Sequence, residues 1–227
     1  MSFSNQLTAS RTIARASKQD ISAFADAPVG NIVDAIGRSG AMDLAIKPIT
    51  ETKQFAGTAL TVNAGPRDNL APWAALRLAQ PGDVMVIATG AHKEASVLGD
   101  LLIGMAKNAG IVAIVTDGVI RDISGANAVG IPVFAAGVSP NSPQKNGPGA
   151  VGLPIVAGGV AVKPGDIVCG DEDGVVVIPS TQIDAAKPAL AAVRKKEASM
   201  EAAVADGATA PDWIADLPLD QVFTFVD

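Results

Sequence analysis

Asp100 is separated by twenty residues from the adjacent pair Arg121-Asp122, which follows the apolar run Ile111-Val112-Ala113-Ile114-Val115. Two carboxylates and a guanidinium can hold a cation and steady a developing negative charge. Carboxylates are hard oxygen donors, and a magnesium-like ion takes one or two of them while keeping several waters. Arginine adds a permanent charge and a rigid fork of donors, suited to a carbonyl or enolate oxygen. The plainer reading of the same residues is a solvated or structurally paired Arg-Asp neighbour at a strand end.

The intervening elements decide whether these side chains meet. Across residues 98–108 the apolar Leu98, Leu101, Leu102 and Met105 recur at three- and four-residue spacings, and Gly110 follows. This pattern predicts a short amphipathic helix with a glycine stop. Residues 111–115 are β-branched, too few for a helix, and bounded by Gly110 and Asp117-Gly118, which predicts a buried strand. At about 1.5 Å per helical residue and about 3.3 Å per strand residue, both legs are on the order of 15 to 20 Å long. The helix start and the strand end are therefore expected at one edge of the layer, with Asp100 facing Arg121 and Asp122. The helix start also carries amides without intrahelical partners, around Gly99-Asp100-Leu101-Leu102, and such a terminus receives a small carboxylate.

Several further segments carry a resemblance: Asp117-Gly118-Val119-Ile120-Arg121-Asp122, Gly130-Ile131-Pro132-Val133, Pro164-Gly165-Asp166, and Asp171-Glu172-Asp173-Gly174 leading into Val175-Val176-Val177-Ile178-Pro179. Together with Gly99-Asp100-Leu101-Leu102 they resemble the RraA-like superfamily over roughly residues 10 to 200. The aspartate, twenty residues, Arg-Asp signature is similar to its enzymatic branch, the 4-hydroxy-4-methyl-2-oxoglutarate / 4-carboxy-4-hydroxy-2-oxoadipate aldolases. The resemblance implies a β/β/α swivelling-domain fold, a divalent ion such as Mg2+ or Mn2+, and a homotrimer or hexamer. It implies Asp122 as a direct metal ligand, with Asp100 and a neighbouring subunit's Glu197 acting through water. Arg121, Asn69, Lys145 and the 99–102 segment would bind a small 2-oxo acid, and Arg67 could share that task. The implied reaction is retro-aldol cleavage of a 4-hydroxy-2-oxo-dicarboxylic acid to pyruvate, with oxaloacetate decarboxylation through the same pyruvate enolate. The alternative within the superfamily is a non-catalytic regulator that binds ribonuclease E and lacks the acidic pattern.

Composition bounds the class. The 227 residues are 48% hydrophobic, with 23 glycines, 15 prolines and no tyrosine, so the core must come from Ala, Val, Ile and Leu in short, tightly turned elements. A net charge of −6 argues against a nucleic-acid footprint, which needs a clustered basic face. No window approaches the roughly twenty apolar residues of a membrane span, and residues 1–19 lack a signal-type apolar stretch, so a cytoplasmic protein is expected.

Helix-strand alternation through residues 69–135 implies a mostly parallel sheet with packed helices. From Gly152 short apolar runs separated by glycine and proline suggest an antiparallel second layer. Residues 181–206 read as a helix that Pro188 should kink or divide. The expected organisation is one domain over 1–206 and a C-terminal extension over 207–227, whose Trp213, Phe223 and Phe225 need cover, for instance from a neighbouring subunit.

Other reactive residues have plainer readings. Cys169 alone excludes an internal disulfide, and it reads as a small apolar strand residue. His92 is the only histidine, so an acid-base role competes with that of a solvated loop residue. No lysine among Lys47, Lys53, Lys93 and Lys145 stands out as the desolvated amine that a Schiff base needs. Asp171-Glu172-Asp173 lacks the spacing of a calcium loop and, with Gly174, signals a hairpin.

Overall fold

A computed structural model describes residues 6–226; residues 1–5, part of the stretch read above as lacking a leader, and Asp227 lie outside it. In chain order the elements are β1 (Leu7–Ala9), α1 (Lys18–Ser22), α2 (Val29–Ala35), β2 (Lys47–Pro48), β3 (Phe55–Asn63), α3 (Leu70–Ala75) and β4 (Asp83–Ala88). Next come β5 (Ser96–Leu98), α4 (Asp100–Asn108), β6 (Ala113–Thr116), β7 (Val119–Ile120), α5 (Ile123–Val129) and β8 (Val133–Ala135). They are followed by β9 (Gly149–Val151), β10 (Ile155–Ala157), β11 (Val160–Val162), β12 (Ile167–Asp171), β13 (Gly174–Ile178), α6 (Ile183–Ala205), α7 (Asp212–Ala215) and α8 (Leu219–Val222).

Strands β3, β4, β6 and β8 pair in parallel in that order. Every residue of β4 and β6 is buried, which is why they read as unbroken apolar runs: a strand covered on both faces has no polar side to alternate with. One face packs Leu60, Met85, Ile87 and Ile114 under Ala71 and Ala75 of α3, Ile103 and Ala106 of α4, and Ala126 of α5. The opposite face packs Val84, Val86, Ala113, Val115 and Phe134 against Ile155, Ala157 and Val162 of the β10-β11 antiparallel hairpin. Helices, mixed sheet and hairpin give the three layers that the resemblance implies.

The second half of the chain departs from the expected separate layer in one respect. The β12-β13 hairpin joins the main sheet, because β12 pairs antiparallel with the first half of β3 while β9 pairs with its second half. Nine residues give β3 room for two partners along one edge. The β12-β13 strands then pack Ile167, Cys169, Val176 and Ile178 against Phe24, Ile32, Ile183, Ala186 and Leu190. Asp171 pairs with Gly174 across the turn, so the acidic triplet is a hairpin as read.

Of the two outcomes expected at Pro188, a kink or a division, division does not occur, and α6 runs unbroken from Ile183 to Ala205. Pro188 removes one amide near the start of α6, where Ala186 and Leu190, buried on either side of it, hold the helix in register. Helix α3 is short, and turns carry the chain on to Ala79. The short α7 and α8 leave Trp213, Phe223 and Phe225 exposed within one chain.

At the N-terminal end of β4, Arg15 donates from Nε to Asp83 Oδ1 at 2.8 Å and from a terminal nitrogen to Oδ2 at 2.9 Å. The Asp83 side chain is 1% exposed, so removing its partner would strand a buried carboxylate. Arg15→Met is therefore expected to destabilise the fold by about 3 kcal/mol. Urea unfolding followed by circular dichroism measures it, and an unchanged midpoint would refute the assignment.

Candidate active site

The convergence of the site residues has a specific structural cause. β5 and β7, of three and two residues, pair in parallel with each other and form a sheet of their own. Parallel strands end on the same side, so Gly99-Asp100 leaves β5 beside Arg121-Asp122 leaving β7. The Arg121 amide donates to the Leu98 carbonyl at 3.1 Å, the last tie before both chains turn into helices. The sequence reading expected the same meeting by a different geometry, in which the helix began at Leu98 and Arg121-Asp122 followed the end of the single strand over 111–115. The chain instead leaves β6 through Asp117, whose buried carboxylate binds the Thr89 amide at 2.6 Å and hydroxyl at 2.8 Å, and re-extends as β7.

Both turns into helix are tight. Asp122 caps α5 with φ 61° and ψ 48°, the left-handed region that a short polar side chain tolerates better than most. Gly99 caps α4, and a Cβ there would collide with Asp122 Oδ2. Gly125 of α5 is equally constrained, because a Cβ would strike the Asp100 carboxylate. Two glycines thus let two acidic side chains lie against neighbouring backbone. Gly125 was not singled out in the sequence, where nothing marks it from the other glycines.

A cleft of about 130 Å³ opens at this junction. Gly99, Asp100, Leu101, Leu102, Arg121, Asp122, Asn69 and Lys145 all line it, together with Trp73, Ser96, Ser142 and Pro143, which sequence reasoning missed. Arg121 donates from Nε to Asp122 Oδ2 at 3.1 Å and from a terminal nitrogen to Ser142 Oγ at 2.7 Å, which fixes its plane against the cleft wall. The segment carrying Lys145 is stitched down on both sides. Asp68 accepts the Asn146 amide at 2.6 Å and the Gly147 amide at 3.1 Å, and the Asn141 carbonyl accepts from the Ser96 hydroxyl at 2.8 Å.

One expectation about the helix terminus needs correction. The Leu101 amide is not open, because Asp100 Oδ1 accepts it at 2.7 Å. A carboxylate at the first helical position reaches its neighbour's orphan amide more readily than any ligand does. Among the described residues the Asp100 and Leu102 amides have no hydrogen-bond partner, and these remain for a ligand. The Leu101 side chain stands 72% exposed at the rim.

Among the described residues no group of three or more His, Cys, Asp or Glu side chains is arranged to hold a metal. The donor set of the cleft nevertheless suits a hard ion that keeps its waters. Asp122 Oδ1 and Asp100 Oδ2 have no hydrogen-bond partner among the described residues, while the other oxygen of each is occupied. Glu197 lies outside the cleft, where its carboxylate accepts from the Asn31 amide side chain across the α2-α6 contact. Arg67 reaches Glu94 at 3.7 Å and does not line the cleft either.

The remaining reactive side chains stand apart. His92 does not line the cleft, and its Nε2 is buried without a partner. Burial, reinforced by Asp171, pushes the Cys169 thiol up to about 12. Lys145 is exposed and therefore lacks the desolvation that a Schiff-base lysine needs. Among the described residues no helix is long and apolar enough to cross a membrane.

The RraA-like family, described as Aldolase/RraA, matches residues 29–177. A Halalkalibacterium halodurans protein provisionally named a 4-hydroxy-4-methyl-2-oxoglutarate aldolase is 38% identical over 182 residues, covering 80% of this chain and 85% of its own. Streptomyces coelicolor RraAS2, described as an unusual member of the RNase ES inhibitor RraA protein family, matches with a TM-score of 0.71 at 27% identity, over 82% of this chain and 99% of its own. The RNA-processing inhibitor RraA from Thermus thermophilis matches with a TM-score of 0.63 at 27% identity, over 68% and 93%.

Two measurements check the local chemistry. Gly99→Ala must displace the Asp122 carboxylate, so if the cleft holds a divalent ion, Mn2+ affinity read by electron paramagnetic resonance should fall by about 10-fold or more; undiminished or absent binding would count against a metal at Asp122. Cys169 should stay a thiol at pH 8 and resist iodoacetamide until denaturant is added, because the thiolate is the reactive form. Native labelling seen by mass spectrometry would contradict its burial.

Proposed function

This chain belongs to the RraA-like family, and from that premise we propose that it is a carbon-carbon lyase, a divalent-metal-dependent aldolase of 4-hydroxy-2-oxo-dicarboxylic acids that releases pyruvate. The observation that carries the reading is the meeting of Asp100, Arg121 and Asp122 in one cleft beside two unpartnered helix amides. A relative named for this activity, at 38% identity, supports the same class.

In this reading the pyruvyl carboxylate takes the Asp100 and Leu102 amides, and Arg121 faces the 2-oxo oxygen. Lys145 and Asn69, which line the same cleft, meet the distal end of the substrate. A Mg2+ or Mn2+ ion, held by Asp122 directly and through water by Asp100 and a neighbouring subunit's Glu197, would supply Lewis-acid stabilisation of the charge that gathers on the 2-oxo oxygen. Cleavage removes the proton from the C4 hydroxyl and breaks the C3-C4 bond. C4 becomes the carbonyl of the leaving fragment, and the electron pair passes to C3 as an enolate, which is then protonated to pyruvate. With oxaloacetate, carbon dioxide leaves from C3 and the same enolate follows. No histidine lines the cleft, so a water oriented by Asp100 or Asp122 takes the hydroxyl proton. Arg121 contributes to rate because the charge it faces is larger in the transition state than in the substrate.

The reading includes assembly as a trimer, or a hexamer of two trimers, because it draws Glu197 from another subunit. The exposed Leu101 and Met105 of α4 are compatible with an interface beside the cleft. A second reading, a regulator of ribonuclease E without catalysis, is favoured by the fold match to the two RraA proteins.

Pyruvate release from 4-hydroxy-4-methyl-2-oxoglutarate and from oxaloacetate, assayed with Mg2+ and with a chelator, separates the two. The aldolase reading expects turnover that the chelator abolishes. It expects Arg121→Ala to lower kcat by about 100-fold or more. Asp122→Ala should lose both metal-stimulated turnover and Mn2+ binding. No pyruvate under any condition would favour the regulator.

A further inference from the structure

The cleft contains an unused donor and an unused acceptor, one helical turn apart. Asn69 is 5% exposed and caps α3; Trp73 lies on α3 four residues later, and its amide donates to the Asn69 carbonyl at 3.3 Å. Asn69 Oδ1 and Trp73 Nε1 are both buried, both without a hydrogen-bond partner, and both belong to cleft-lining residues. The only other unpartnered buried side-chain atoms among the described residues, on Gln6 and His92, belong to residues that do not line it. A buried polar group left unpaired destabilises the fold, so a pair of them at the wall of an open cleft marks a place where a ligand completes the bonding.

The chemistry of the missing group follows from the pair. The indole N–H only donates and the amide oxygen only accepts. A carboxylate would satisfy the indole but repel the amide oxygen, whereas an ammonium would do the reverse. A hydroxyl donates and accepts through one atom. We infer that Trp73 and Asn69 are specificity-determining residues that recognise a substrate hydroxyl, with Trp73 donating to its oxygen and Asn69 Oδ1 accepting its proton. The inference rests on the reading of the cleft as a hydroxy-oxo-diacid site, and there the group is the hydroxyl at C4. Asn69 gains a narrower task than carboxylate binding, which passes to Lys145. Sites built to bond a hydroxyl reject analogues that lack it, because the protein's own groups are then left unpaired.

The chain has two tryptophans, and Trp213 is 68% exposed, so Trp73→Phe identifies the Trp73 indole signal in a nitrogen-proton NMR spectrum by its loss. Titration of the wild-type protein with 2-hydroxy-2-methylsuccinate should move that signal downfield, and 2-methylsuccinate, the same diacid without the hydroxyl, should leave it in place. No shift, or equal shifts from both, overturns the inference. In turnover, Trp73→Phe should lose about 10- to 100-fold in kcat/KM for 4-hydroxy-4-methyl-2-oxoglutarate, yet change oxaloacetate decarboxylation, whose substrate has no such hydroxyl, by less than about threefold. Equal losses on both substrates would reduce Trp73 to a packing role and also overturn it. If the wild-type protein releases no pyruvate, the aldolase reading fails while the NMR comparison still decides hydroxyl recognition.

Discussion

The parallel pairing of β5 with β7 is the constraint on which the cleft depends. Five residues make this sheet, too few to be stable alone, so it exists because the buried main sheet and α4 already hold both segments. Its effect is directional: two chains leave side by side and turn at once into α4 and α5, with Asp100 as the first residue of one helix and Asp122 as the cap of the other. An antiparallel pairing of the same strands would send the two acids to opposite ends.

Closeness of that order has local costs, and the sequence meets them with particular residue types. Asp122 occupies a left-handed conformation, and Gly99 and Gly125 give up side chains so that carboxylates can lie over backbone. Such strain persists where the surroundings over-determine it. Here the surroundings are the Leu98 carbonyl, Ser142 and the helix packing beneath. Arg121 shares in this, since one of its nitrogens holds Asp122 and another holds Ser142, leaving the rest of the fork toward the cleft.

Much of this was legible in the chain. The parallel core and α4 followed from apolar runs and helical spacing, because burial on two faces and on one stripe leave different periods. The Asp100 and Arg121-Asp122 grouping followed from the order of elements, and the place of Asn69 and Lys145 in the cleft lining from resemblance. β5 and β7 were not legible, since strands of three and two residues have no period to read, and Leu98 fitted the helical spacing of α4 equally well. The capture of the Leu101 amide by Asp100 depends on a rotamer that no pattern encodes. Trp73 was overlooked because an aromatic residue on an apolar helix face looks like core until its nitrogen is found without a partner. Pro188 misled because the general cost of an interior proline was weighed without the packing of Ala186 and Leu190 that offsets it.

A fold shared by aldolase-named and inhibitor-named proteins makes the cleft, rather than the layers, the carrier of function. The layers rest on apolar runs of suitable length and on ties outside the cleft such as Arg15-Asp83. The polar groups of the cleft contribute little to those layers. An aspartate in a left-handed turn, glycines cleared for two carboxylates, and a buried indole N–H beside a buried amide oxygen each destabilise the empty protein or yield no packing. Their concentration in a single cleft is what the proposed aldolase reading draws on, with the acid group, the carbonyl and the hydroxyl of its substrate as the groups that would meet them.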